Sequence, residues 1–182
     1  MTIVATASKQ RQNLLTTATS IQIAMTTNGI RLAAVLPELI DAGLSRLNIS
    51  IDTLDRERFT ALTRRDRLAD VLEGITAAAA SGLRPLKLNA VAMRGVNDGE
   101  LVELVEFAIS MGAQLRFIEQ MPLDAGHTWD RSMMVERAEI LQTLGRRWRL
   151  DPVPGRGGAP AERWSLGGGP HTVGVIASVT AP

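Results

Sequence analysis

Polar side chains gather at a few points where apolar, strand-like runs end: Thr26, Thr27 and Asn28; Ser50 and Asp52; Lys87 and Asn89; Arg116, Glu119, Gln120 and Met121. The set is rich in hydrogen-bond donors, and its cations, Lys87 and Arg116, suit a small ligand bearing phosphate or carboxylate groups. Lys87 stands out because lysine otherwise occurs only at Lys9. Each residue also has a structural reading: the threonines and Asn28 as turn chemistry, Ser50 as a hydrogen-bonded strand residue, Lys87 as a snorkelling surface side chain. Their recurrence at successive strand ends favours a shared site.

Other chemistry is excluded or weak. The chain contains no cysteine, so this polypeptide has no disulfide, cysteine nucleophile, thiolate zinc site or cysteine-ligated cluster. His127 and His171 lack partners at ligand spacing, and no metal site is expected. Gly167-Gly168-Gly169 reads as a turn, because no strand-to-helix context follows it. No residue is assigned a catalytic role.

The elements that position these residues are legible as a repeated pattern. Helix-like segments end in glycine at Gly43, Gly82 and Gly112, and strand-like runs follow at 46–52, 86–92 and 115–120. Leu32, Val35, Leu36, Leu39 and Ile40 make one helical stripe; Leu101, Leu104, Val105 and Ile109 make another; a third helix fits 68–80. Ile21 to Met25 reads as an earlier strand ending in a turn. Strands alternating with helices predict a parallel sheet, hence an α/β fold of barrel or doubly wound type. In 48–52 and 86–90 polar and apolar residues alternate, so one sheet face is polar. A ligand-lined, partial barrel fits this better than a packed one. Beyond Met121, a loop over 122–132, a helix over 135–147 and strands over 148–153 and 172–179 are expected, with 154–160 as a Gly/Pro connection and 164–169 ending in a glycine cluster.

At 182 residues, one domain is the prior. No apolar run approaches the roughly 20 residues of a spanning helix, and Met1 to Gln12 lacks a signal-peptide core. A cytoplasmic location without membrane attachment is expected. Basic and acidic residues number 20 and 19 and are scattered, which argues against a nucleic-acid partner.

Successive motifs carry a resemblance that goes further. Thr26-Thr27-Asn28-Gly29, the run Leu47 to Leu54, Lys87 to Val91, Met93-Arg94-Gly95-Val96-Asn97-Asp98, Arg116 to Pro122 and Gly174 to Val179 resemble, in order and spacing, motifs of the GTP 3′,8-cyclase (MoaA-like) family of molybdenum cofactor biosynthesis, in the radical SAM superfamily. The resemblance covers roughly Met25 to the end. It implies an incomplete (β/α) barrel, S-adenosylmethionine and two [4Fe–4S] clusters as family cofactors, and radical cyclisation of GTP. By motif, Thr26 and Lys87 resemble GTP-contacting positions, and Ser50 and Met121 resemble S-adenosylmethionine-contacting positions. Arg116 joins the GTP set on charge grounds. A homodimer is an assembly the resemblance allows.

The departures shape the expectation. The family's C-x-x-x-C-x-x-C motif and G-G-E-P strand are not found in Met1 to Ile23, and the chain stops at Ala181-Pro182, ahead of the family's Phe-Cys motif. The reading is therefore a divergent segment at 1–24, a partial barrel lacking its first strands at 25–122 and an incomplete C-terminal extension at 123–182. No cluster and no catalysis by this chain alone are expected. The alternative is a non-catalytic module that binds GTP or S-adenosylmethionine.

Overall fold

The computed structural model describes residues 2–7, 21–122, 130–155 and 160–180. Four parallel strands stand side by side in chain order: β2 (Ile21–Thr27), β3 (Leu44–Ser50), β4 (Leu86–Ala92) and β5 (Gln114–Glu119). The crossovers between them carry α1 (Leu32–Asp41), then α2 (Arg56–Thr63) and α3 (Leu68–Ala80), then α4 (Leu101–Ser110). This is the unit repetition of a (β/α) barrel. Gly43 and Gly82, at φ 94° and 78°, take the left-handed conformation that lets each helix turn directly into the next strand.

The C-terminal portion continues the same sheet. After α5 (Arg137–Gly145) come β6 (Leu150–Pro152), β7 (Glu162–Leu166) and β8 (Thr172–Ile176). β8 lies parallel to β5, and β7 and β6 follow antiparallel; with β1 (Thr2–Ala7) at the other edge, the described residues form one sheet of 8 strands ordered β1-β2-β3-β4-β5-β8-β7-β6.

The first strand in that order is absent from the sequence reading. β1 (Thr2–Ala7) runs antiparallel to β2, pairing Thr2 with Thr26 and Ala7 with Ile21. It gives the outer edge of β2 a hydrogen-bonding partner. Helix α2 was also missed. It has a single buried apolar residue, Phe59, and so shows little periodicity. Its start is fixed instead by Asp55, whose side chain accepts from the Arg58 N–H at 2.8 Å.

Strand alternation separates the two sheet faces. Leu47, Ile49, Leu86, Leu88, Leu115, Phe117, Val173 and Val175 are buried, and they share a core with Val71 and Ile75 of α3 and Leu104 and Val105 of α4. The closest approach is at Gly74 of α3, where an added Cβ would stand 2.6 Å from the Gly29 carbonyl oxygen. That contact seats α3 against the turn following β2. The turn itself is closed by Gly29 N–H donating to Thr27 Oγ1 and Ile30 N–H donating to Asn28 Oδ1, both at 3.1 Å. No helix among the described residues is long and apolar enough to cross a membrane.

Candidate anion-binding face

The intervening strand residues form the polar face. Pairing of neighbours aligns Thr26 with Asn48, Asn48 with Lys87, and Lys87 with Gln114; one step further along, Ser50 aligns with Asn89, Asn89 with Arg116, and Arg116 with Gly174. Sequence reasoning places Lys87 and Asn89 at a strand's carboxyl end. The structure corrects this: Lys87 is the second residue of β4, level with the end of β2, because successive strands are staggered as barrel closure requires. The polar cluster therefore lies at mid-strand depth, below the rim.

Hydrogen bonds tie the rows together. Arg116 donates from Nε to Asn89 Oδ1 at 2.9 Å and from Nη2 to Asn48 Oδ1 at 3.0 Å, and Asn48 Nδ2 donates to Thr26 Oγ1 at 3.2 Å. At the next strand junction Gln114 Nε2 donates to Thr172 Oγ1 at 2.6 Å. Arg116 is thus held by two neutral amides that fix its plane without neutralising its charge. Asn48, which sequence reasoning did not single out, is the joint between Thr26 and Arg116. Its place in the alternating run 48–52 was the available signal.

Among the described residues the cations of this face have no ion-paired carboxylate. Among the described residues Arg56 pairs with Asp66, Arg94 with Glu139, Arg137 with Glu162 and Arg147 with Glu106, whereas no carboxylate forms an ion pair with Lys87 or Arg116. Burial, and after it the neighbouring Arg116, Arg46 and Arg163, holds the Lys87 ammonium below its ordinary pKa. Burial likewise lowers the Arg116 guanidinium. Cations gathered and partly desolvated without an anion are relieved by a ligand that brings negative charge.

At the carboxyl end, loops brace one another. The buried Asn97 donates from Nδ2 to the carbonyls of Asp52 (2.6 Å) and Val91 (2.8 Å) and accepts from Met93 N–H at 2.8 Å. Asp52 accepts from Val91 N–H at 2.8 Å, and burial raises its carboxyl pKa despite that bond. The buried Thr53 hydroxyl bonds the Glu100 carboxylate, which also accepts from Leu54 N–H at 3.0 Å and pairs with Arg58. The loops after β3 and β4 therefore form one hydrogen-bonded unit.

The remaining candidates divide. Thr26 and Ser50 are exposed at the ends of β2 and β3, and Met121 is 39 % exposed just beyond β5. Met121 stands at the rim, apart from the hydrogen-bonded rows. Glu119 does not join the polar face. It is fully buried on the helix side, where it accepts from Arg137 N–H at the start of α5 (2.9 Å), from Val179 and Thr180 N–H (3.0 and 2.9 Å) and from the Thr180 hydroxyl (2.6 Å). It serves as a clamp joining β5, α5 and the turn after β8. His171 is exposed on the loop before β8, and His127 lies outside the described residues.

Comparison with known proteins agrees with this architecture. The model of the Radical SAM superfamily matches residues 3–108, and that of Molybdenum Cofactor Synthesis C matches residues 113–182. The GTP 3′,8-cyclase of Streptomyces coelicolor is 53% identical over 163 residues, covering 88% of this chain and 48% of that protein. The corresponding proteins of Paenarthrobacter nicotinovorans (52% over 172 residues; 88% and 48%) and Mycobacterium marinum (49% over 164 residues; 87% and 46%) are similar to the same extent. The chain spans about half the length of these relatives. By its matched domain, its strand order and its motifs, the chain belongs to the radical SAM superfamily, and within it is similar to the GTP 3′,8-cyclases.

Proposed function

We propose that this chain is the nucleotide-binding part of a GTP 3′,8-cyclase-type fold, and that it binds GTP on the polar face through Thr26, Lys87 and Arg116. The observation that carries the proposal is Arg116 held between Asn89 and Asn48 beside Lys87, with no carboxylate ion-paired to either cation among the described residues. Lys87 supplies a point charge and Arg116 a planar fork for phosphate oxygens. Thr26 and Asn48 supply neutral polar groups beside them. The barrel portion, 25–122, carries these residues, and the extension, 123–182, adds strands to the same sheet.

S-adenosylmethionine, which the family implies, fits the rim, where the Ser50 hydroxyl and the Met121 thioether are both exposed. Bound there, it brings the adenosyl group on which the superfamily's chemistry depends. The [4Fe–4S] clusters do not fit these residues. There is no cysteine in the sequence, and among the described residues no group of three His, Cys, Asp or Glu is arranged to hold a metal. The role of these residues is therefore ligand binding. A chain that binds GTP without catalysis would act as a decoy or as one part of a larger assembly.

Titration of the Arg116→Ala and Ser50→Ala variants with each ligand tests the assignment. Arg116→Ala weakens GTP and leaves S-adenosylmethionine unchanged, and Ser50→Ala does the reverse. Equal effects of both variants on both ligands would refute the division into two subsites.

A further inference from the structure

The charged face does not stop at the barrel strands. β7 pairs antiparallel with β8 so that Arg163 lies opposite Gly174, and Gly174 in turn lies opposite Arg116 across the parallel pair of β8 and β5. Alternation sends Glu162 to the helix side, where it pairs with Arg137 at 2.8 Å, and its neighbour Arg163 to the other face. The surroundings of Gly174 confirm which face this is: a Cβ added there would meet Arg116 Cγ at 3.0 Å and Ala161 Cβ at 3.2 Å. Ala161, just before β7, and Arg163, two residues on, share the Arg116 side of the sheet.

Gly174 thus leaves a gap between the two arginine positions in this row. Among the described residues no carboxylate forms an ion pair with Arg163. Arg163 is also one of the cations that depress the Lys87 ammonium, so its charge is felt on β4. An arginine with a carboxylate partner in reach would have taken it, as Arg137 on the opposite face does.

We infer that Arg163, contributed by the C-terminal extension, is a further anion contact of the polar face, and that with Arg116 across the Gly174 gap it holds the polyphosphate portion of the ligand. The inference rests on the nucleotide-binding reading above and deepens it. The barrel strands alone supply Lys87 and Arg116; a ligand with several phosphate groups engages all three side chains, whereas a nucleoside or monophosphate leaves one unpaired. The extension then contributes directly to ligand choice.

Inorganic tripolyphosphate, titrated calorimetrically into the full chain, is the probe. Wild type binds it; Arg163→Gln weakens binding about tenfold, the loss of one charge-assisted contact; Arg163→Lys, which keeps the charge, loses less; guanosine affinity is the same in all. If Arg163→Gln matches wild type while Lys87→Gln is weakened, the Arg163 assignment is wrong and the reading of the barrel face stands. If wild type does not bind tripolyphosphate, both fall.

Discussion

Gly174 lies directly opposite Arg116 in the parallel pair of β5 and β8, and the Arg116 side chain crosses the space a larger residue would fill, with its Cγ 3.0 Å from the position of an added Cβ. The relationship ties the C-terminal extension to the candidate site: a backbone position in one shapes a charged side chain of the other. The same strand presents Val173 and Val175 to the core, so Gly174 lies on the polar face between Thr172 and Ile176, in an otherwise β-branched run.

Gly174→Ala should therefore act on binding more than on folding. The methyl group displaces the Arg116 stem and meets Ala161, at a cost of about 1–2 kcal/mol in urea unfolding. GTP affinity should fall further than the stability change alone explains, because Arg116 can no longer reach both Asn48 and Asn89.

Gly74→Ala tests the seating of α3. An added Cβ there meets a backbone oxygen at 2.6 Å, which cannot rotate away as a side chain would. Destabilisation of about 2–3 kcal/mol is expected despite the better helix propensity of alanine, measured as a lowered denaturation midpoint with an unchanged slope.

Asn97→Ala should loosen the loops after β3 and β4 together. It leaves the part-buried carbonyls of Asp52 and Val91 and the Met93 N–H without this partner, for a loss on the order of 3 kcal/mol. Hydrogen exchange should show faster opening at Met93 and in the 51–55 segment.

Buried Glu119 and half-buried Asp52 give opposite pH dependences. Burial acts to raise the Glu119 pKa, but the bonds from Thr180, Arg137 and Val179 outweigh it and the net shift is downward. Its stabilising effect is present above the unfolded-state value near 4.5 and is lost as pH falls through the lower folded value. Asp52 is shifted upward, chiefly by burial. Its contribution is present below the unfolded value of 3.8 and is lost as pH rises through the folded value. Glu119→Gln should then cost stability at pH 7, on the order of 2–4 kcal/mol, with a smaller penalty in acid. Asp52→Asn should be neutral or stabilising at pH 7. Denaturation curves between pH 3 and 7 check both signs.

Much of this was legible in the residues. Glycine-terminated helices followed by alternating strands predict β3, β4 and β5 with their polar face, and Lys87 and Arg116 stand on it. Three things were not. The depth of Lys87 depends on strand stagger, which no local pattern encodes. The burial of Glu119 depends on α5 and the turn after β8, distant in sequence, so a strand-end carboxylate reads like a site residue. β1 carries the β-branched content of a strand in Ile3, Val4 and the flanking threonines, but its partner edge becomes evident only in the assembled sheet.

The most direct test is the GTP affinity of the full chain against that of Lys87→Ala, by isothermal titration at matched ionic strength. The account predicts that GTP binds and that the variant is weaker by about 1–3 kcal/mol, a factor of roughly 5 to 150. Equal affinity, or no GTP binding by a folded wild-type chain, would contradict it.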